Sequence, residues 1–325
     1  MSTLNKAIGG YFELELPPPS QTKYQDALKY QSARAAFLAL LRASKPNRVW
    51  MPHYICESML APVKAAGIEI CYYSLDKQFG IVEKIILGRA DILLYVNYFN
   101  VCSAQVEKIL NQFNPLQIVL DFSQAFFAAP KNCLATIYSP RKFFGLPDGG
   151  LLLTQLTIDL PEALDEGSEK RMRHLIARLG GGAELGYADY QLAEASLNAL
   201  EPKRMSLLTE RIFGSIDFEA ARIQRNKNFH ALHKILSRSN RLGVDLEAVD
   251  GPMCYPYFSD NQSLRAKLIS ERIFIPTYWP DIFNRLDVPV FEEGLIKNIH
   301  PLPCDQRYDV DDMDNICKLL LEFDN

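Results

Sequence analysis

Lys142 lies in the run Tyr138-Ser139-Pro140-Arg141-Lys142-Phe143-Phe144-Gly145-Leu146-Pro147-Asp148-Gly149-Gly150, downstream of an apolar segment that ends in Asp121-Phe122-Ser123-Gln124. A lysine on a Ser- and Gly-bearing turn, preceded by an acid at a strand end in the same α/β unit, suits one kind of chemistry. The amine can form a Schiff base with an aldehyde cofactor. The carboxylate can keep a proton on a pyridine nitrogen, so that the ring accepts electrons. These are the demands of pyridoxal 5'-phosphate, and they make Lys142 and Asp121 the candidate catalytic pair.

Such a cofactor also needs anchors. Gln124 is placed to reach the ring hydroxyl or aldehyde side, and Ser139, three residues before Lys142, can donate to the phosphate. Ser32-Ala33-Arg34 offers a hydroxyl, helix-start amides and a guanidinium to the same phosphate, because the N-terminus of a helix favours an anion. Each residue alone has a plainer reading: Asp121 as a turn cap, Lys142 as a solvated lysine, Ser32 as an N-cap. Their order along one α/β unit favours the cofactor.

Other candidates carry less. His230 and His233 stand three apart without acidic or cysteine neighbours, so a surface or interdomain place is expected rather than a metal pair. Gly180-Gly181-Gly182 lacks the Lys-Ser/Thr of a phosphate loop and reads as a flexible turn. Cys56 has no evident base, which argues against a cysteine nucleophile. His53 and the clusters Tyr278-Trp279-Pro280-Asp281 and Asp305-Gln306-Arg307-Tyr308 fit either a substrate mouth or packing.

The elements that must position these residues are visible as alternating patterns. From Ser32, apolar Ala33, Phe37, Leu40 and Leu41 recur at helical spacing, ending near Lys45-Pro46. Apolar strands follow at 48–51, 68–73, 91–96, 118–121 and 134–138, with helices at 59–66 and 106–113. Uniformly apolar strands separated by helices imply a mainly parallel sheet covered on both faces, with ligands at the strand C-terminal ends. Asn97, Asp121 and Ser139 fall there. A polar helical stretch is expected over 159–198, and a long helical link past Arg204-Met205-Ser206 through Ile212, Ile216 and Ile223. Beyond it, 254–258, a helix at 264–269 and 273–277 suggest a small α+β layer. A final helix spans 310–323, with Asp309 as N-cap.

The bulk properties bound the answer. With 325 residues the chain is expected to form a large domain over 1–210 and a small C-terminal domain over 211–325. A 48% hydrophobic content and a formal charge of -4 point to a globular protein whose main partner is neither nucleic acid nor a membrane. The seven cysteines form no C-x-x-C pair, which suits reduced thiols. Residues 1–10 lack a signal-peptide pattern and no segment approaches a membrane span, so a cytoplasmic protein is expected.

The chain resembles the DegT-type nucleotide-sugar aminotransferases, pyridoxal phosphate enzymes of fold type I. Tyr30-Gln31-Ser32-Ala33-Arg34-Ala35-Ala36 is similar to that family's phosphate-binding helix start, and Met51-Pro52-His53-Tyr54-Ile55-Cys56 and Val96-Asn97-Tyr98-Phe99-Asn100 to two of its strand ends. Asp121-Phe122-Ser123-Gln124-Ala125 resembles its Asp-x-Ala-Gln-Ala, 139–150 its lysine turn, and Arg204-Met205-Ser206 its Arg-Met-Ser/Thr. Departures are Arg34 for a small Thr, Asn97 for His, Cys56 for a ring-stacking aromatic and Pro202 for Asn. Tyr54 is then the candidate to take over the stacking. The resemblance implies a three-layer α/β/α large domain with a mostly parallel sheet, plus the small α+β domain. It also implies a homodimer that moves an amino group from an amino acid such as glutamate to a nucleotide-linked keto-sugar, in surface polysaccharide or related sugar biosynthesis. The alternatives are a dehydratase or lyase using the same cofactor and a non-catalytic binding protein of the same fold.

Overall fold

The structure is a computed structural model that describes residues 8–19, 23–285 and 287–324; the first seven residues of the stretch read above for a leader, 1–7, lie outside the described residues. Seven strands form the main sheet: β1 (Leu28–Tyr30), β2 (Arg48–Pro52), β3 (Glu69–Tyr73), β4 (Asp91–Val96), β5 (Ile118–Phe122), β6 (Ala135–Tyr138) and β7 (Gly150–Thr154). Their order is β1-β7-β6-β5-β4-β2-β3. The run from β3 to β6 is parallel, and β7 is antiparallel to both of its neighbours. Every residue of β4, β5 and β6 is buried, which is why those strands read as unbroken apolar strings.

Helices cover the sheet. The first, α1 (Ala33–Ser44), begins where the Ser32 hydroxyl accepts from the Ala35 amide at 3.2 Å and stops at Lys45, whose left-handed backbone precedes Pro46. Then come α2 (Glu57–Ala65) and α3 (Ser103–Gln112). The helical stretch expected from 159 starts only at 168, as α4 (Ser168–Arg171), α5 (Arg173–Gly180) and α6 (Tyr187–Ser196), with the first of the three glycines ending α5 and Gly181-Gly182 in the connection between the last two. The link past Ser206 is two helices, α7 (Leu207–Gly214) and α8 (Phe218–Leu236). Each has its own cap: the Ser206 hydroxyl accepts from Thr209 N at 3.0 Å, and an Asp217 carboxylate oxygen from Ala220 N at 2.9 Å.

A second, smaller layer pairs β8 (Tyr255–Phe258) antiparallel with β9 (Ile299–Leu302), flanked by α9 (Leu264–Ser270), α10 (Val290–Asn298) and α11 (Val310–Asp324). Asp309 and Asp312 cap each other reciprocally at the start of α11, each carboxylate accepting from the other's amide at 3.1 Å. Residues 273–277 form no strand; they run as an irregular segment. Phe229, Leu232, Tyr255, Leu264, Leu302, Met313 and Leu320 build a core separate from that of the main sheet. Among the described residues no helix is long and apolar enough to cross a membrane.

Candidate active site

The parallel strands β5 and β6 end beside the start of α1, and two glycines make that approach possible. Gly149 donates its amide to Gln31 O at 2.8 Å, with φ of +127°, a backbone state that side chains rarely adopt. A Cβ on Gly150 would fall 2.1 Å from the carbonyl carbon of Ser32. Only glycine lets β7 lie directly against the first turn of α1. Arg204-Met205-Ser206 secures the same joint, because Met205 N donates to Lys29 O at 3.2 Å and Lys203 N to Gln31 Oε1 at 2.8 Å.

A cleft of about 710 Å³ opens at these chain ends. Its lining includes Ser32, Ala33 and Arg34 from the start of α1, then Asp121, Gln124, Ser139 and Lys142 from the strand ends and the following turn. Seven of the eight residues singled out from the sequence therefore share one cavity. Their convergence also shows electrostatically at Cys56, whose thiol is pushed up by burial, pulled down by Lys142 and Arg34, and pushed up by Asp121.

Asp121 is buried at the end of β5, where one carboxylate oxygen accepts from Ser123 N at 2.8 Å. Lys142 closes a short turn begun at Ser139, whose carbonyl takes the Lys142 amide at 3.1 Å. Its side chain is exposed while Phe143 and Phe144 beside it are buried, so the turn is anchored by two rings and presents the amine to the cleft. Arg225 of α8 secures it from behind: its guanidinium lies over the Phe143 ring at 4.6 Å and donates to Phe143 O at 3.0 Å. The Gln124 amide is split in its duties. Its Oε1 accepts from Phe99 N at 2.9 Å, while its Nε2 is buried with no hydrogen-bond partner.

Two sequence readings land elsewhere. Tyr54 lies behind the cleft wall, fully buried with its ring edge-on to Trp279 at 4.5 Å. The aromatic residues that do line the cleft are Phe144, Tyr190, Phe274, Tyr278 and Trp279. Asn97 closes its own loop instead, its Oδ1 accepting from Cys102 N at 3.0 Å. His53 stacks on Tyr72 at 4.9 Å, and His230 and His233 engage the Asn226 carbonyl and the Tyr255 hydroxyl.

Residues far apart in sequence complete the surroundings. Arg141, next to Lys142, pairs with Glu194 of α6, and Arg34 Nη1 donates to Asn198 Oδ1 at 2.5 Å. Beneath the turn, Arg171 bonds Asp165 through two N–H groups at 2.7 and 2.9 Å and lies 3.5 Å from Asp148, while its Nε donates to Ser196 at 2.7 Å. Burial pushes the Asp148 carboxyl up. Burial would also raise Asp165, but the hydrogen bonds from Arg171 prevail and hold it below the ordinary value. No sequence motif marks these pairs, because each partner is a charged residue of ordinary local pattern.

No protein-family model and no curated protein matches the sequence. Solved structures do. NtdA from Bacillus subtilis, with bound cofactor PMP, superposes with a TM-score of 0.65 at 15% identity, over 93% of this chain and 73% of that one. PseC from Helicobacter pylori, an aminotransferase of pseudoaminic acid biosynthesis, gives 0.57 at 16% identity over 91% and 86%. DesI, solved in the presence of its TDP-sugar product, gives 0.60 at 16% over 90% and 79%. The chain thus has the fold of these proteins, nearly end to end.

Proposed function

We propose that the chain is a pyridoxal 5'-phosphate-dependent aminotransferase whose acceptor is a nucleotide-linked keto-sugar. The observation that carries this reading is the gathering of Lys142, Asp121 and the start of α1 around one cleft in which Gln124 Nε2 is buried without a partner. A buried donor left unpaired costs about 1–3 kcal/mol, so an acceptor on a bound ring accounts for it. The residues present fit the cofactor at each end: Ser32, the first amides of α1, Arg34 and Ser139 toward a phosphate, and Asp121 toward a ring nitrogen.

When bound, pyridoxal phosphate supplies an aldehyde that condenses with amines and a ring that takes up electrons from the carbon being deprotonated. The chain's own residues do the rest. Asp121, fixed by Ser123 N, holds a proton at the ring nitrogen. Lys142 Nζ, free to move in the cleft, accepts a proton at one carbon and returns it at another. Aromatic and apolar side chains of the opposite wall exclude water from that transfer.

An amino-acid donor and a sugar acceptor are supported by the fold shared with PseC and DesI. A homodimer is supported by the apolar side chains that α5 and α6 leave exposed, among them Ile176, Leu179 and Leu192. A cytoplasmic place is supported by seven free cysteines. A small C-terminal domain is supported by the separate core around α8, β8 and α11, while Phe213, Ala221, Leu295 and Ile296 pack in the main core and the 210/211 boundary falls inside α7. A dehydratase or lyase would use the same anchors, but the lysine and the neighbours' fold favour transfer.

The test is a visible spectrum of the purified protein with added cofactor, then borohydride reduction and peptide mapping. A label on Lys142, together with amino transfer exceeding ammonia release, is the expected result. A label on another lysine, or none, overturns the reading.

A further inference from the structure

Two guanidiniums line the cleft beside the start of α1. Arg34 comes from its first turn and Arg141 from the lysine turn, and both line the cleft. Each is held from the same side: Arg141 by Glu194 in the last turn of α6 and Arg34 by Asn198, two residues past its end, at 2.5 Å. Asn198 brings no charge, so among the described residues Glu194 is the one acidic partner beside these two cations. Arg141 is 14% exposed at its side chain, and its Nε is buried without a hydrogen-bond partner. Burial, Arg141 and Glu194 all act on the Arg34 guanidinium, so the three groups share one neighbourhood. Like charges crowded in a partly desolvated pocket repel, and an anion between them offsets that repulsion.

Resting on the pyridoxal phosphate reading above, we propose that Arg141 joins Arg34 as a two-guanidinium clamp for the cofactor phosphate, with Glu194 holding Arg141 until the phosphate displaces it. The start of α1 and Ser139 supply neutral donors. The two arginines supply charge and planar, forked N–H geometry, where a hydroxyl-lined site would supply neither. Glu194 is thus a competitor for Arg141, and removing its charge strengthens cofactor binding.

The experiment titrates pyridoxal phosphate and phosphate-free pyridoxal into protein stripped of cofactor, with binding read from quenching of tryptophan fluorescence, since Trp279 lines the cleft. Arg141→Met weakens pyridoxal phosphate about tenfold or more and pyridoxal less than about twofold, with partial recovery in Arg141→Lys. Glu194→Gln, at a solvent-reached carboxylate that does not endanger the fold, strengthens pyridoxal phosphate about threefold and leaves pyridoxal unchanged. If Arg141→Met affects both ligands alike, or neither, the clamp is overturned while the cofactor reading stands. If Glu194→Gln weakens pyridoxal phosphate, Glu194 is a prop and the displacement is overturned. A wild-type protein that binds neither ligand overturns the cofactor reading and the clamp with it.

Discussion

The two walls of the cleft are built by different means. On the side of the main sheet, each residue assigned chemistry sits on a strand end, a helix cap or a turn tied by backbone bonds: Asp121 in β5, Ser32 at the cap of α1, Ser139 and Lys142 in the turn after β6. On the other side, 273–279 has no strand pairing, Phe274 is 46% exposed, and Arg272, Trp279 and Asp287 adopt left-handed backbone. A rigid wall suits chemistry common to every substrate, because reacting groups must be held within fractions of an ångström. An irregular wall suits discrimination among substrates, since loops change shape without disturbing the frame.

The sharpest way to break this division is at Lys142. Lys142→Ala should lower turnover by about 10³-fold, in the range expected when a general acid-base group is lost. Because the side chain is exposed, denaturant stability should move by less than about 0.5 kcal/mol. A large stability loss would mean that the turn depends on the amine, and that this wall is not pre-formed.

Next in size is the buried Asp165–Arg171–Asp148 cluster under the same turn. Asp165→Asn takes the bidentate partner from a buried guanidinium and should cost about 3 kcal/mol at neutral pH. The sign with pH follows from the shifts. Asp165 is depressed in the folded state, so its contribution is complete above the unfolded value of 3.8 and is lost as pH falls through the folded value. Asp148 is raised, so stability falls as pH rises above the unfolded value of 3.8 and the penalty is complete above the folded value, and Asp148→Asn should not destabilise at neutral pH. Urea titrations across pH should separate the two aspartates; parallel curves would refute the assignment.

A paired glycine substitution tests the close approach that the rigid wall requires against an ordinary helix position outside the cleft. Gly150→Ala drives a Cβ into the Ser32 backbone at 2.1 Å, with no flexible side chain to yield, and should cost about 3 kcal/mol and weaken cofactor binding. Gly294, inside α10, has its nearest neighbour for a Cβ at 4.0 Å, an ordinary contact. Gly294→Ala should therefore stabilise by about 0.5–1 kcal/mol through helix propensity. Equal effects in chemical denaturation would contradict the close approach of β7 to α1.

The sequence made the rigid wall readable and the other wall not. Fully buried strands are apolar at every position, so β4, β5 and β6 stand out, and with them the residues at their ends. The antiparallel strands β1 and β7 escaped because one is three residues long and the other begins inside the glycine turn. The split of α7 from α8 hides in Ser215 to Asp217, where no proline announces it. The pairs Arg141–Glu194 and Arg171–Asp148 join residues 53 and 23 positions apart, and only tertiary structure brings such charges together. Tyr54 matched the aromatic type the site was expected to need, yet it packs edge-on against Trp279 away from the cleft lining, while other segments supplied the rings that face the cleft.

The smallest expected effect falls on that loop wall. Phe274 lines the cleft but remains 46% exposed, so it makes few of the contacts that give a core ring its stabilising value. Phe274→Ala should change stability by less than about 0.5 kcal/mol. Its ring nevertheless offers an apolar face to an acceptor that must bridge to the main-sheet wall, and a partly buried aromatic contact is worth about 1 kcal/mol to a ligand. The expected result is a KM for the acceptor raised about fivefold, with kcat and the KM for the amino donor unchanged. An equal loss for donor and acceptor would place Phe274 with the common chemistry, and the separation of the two walls would fail at that residue.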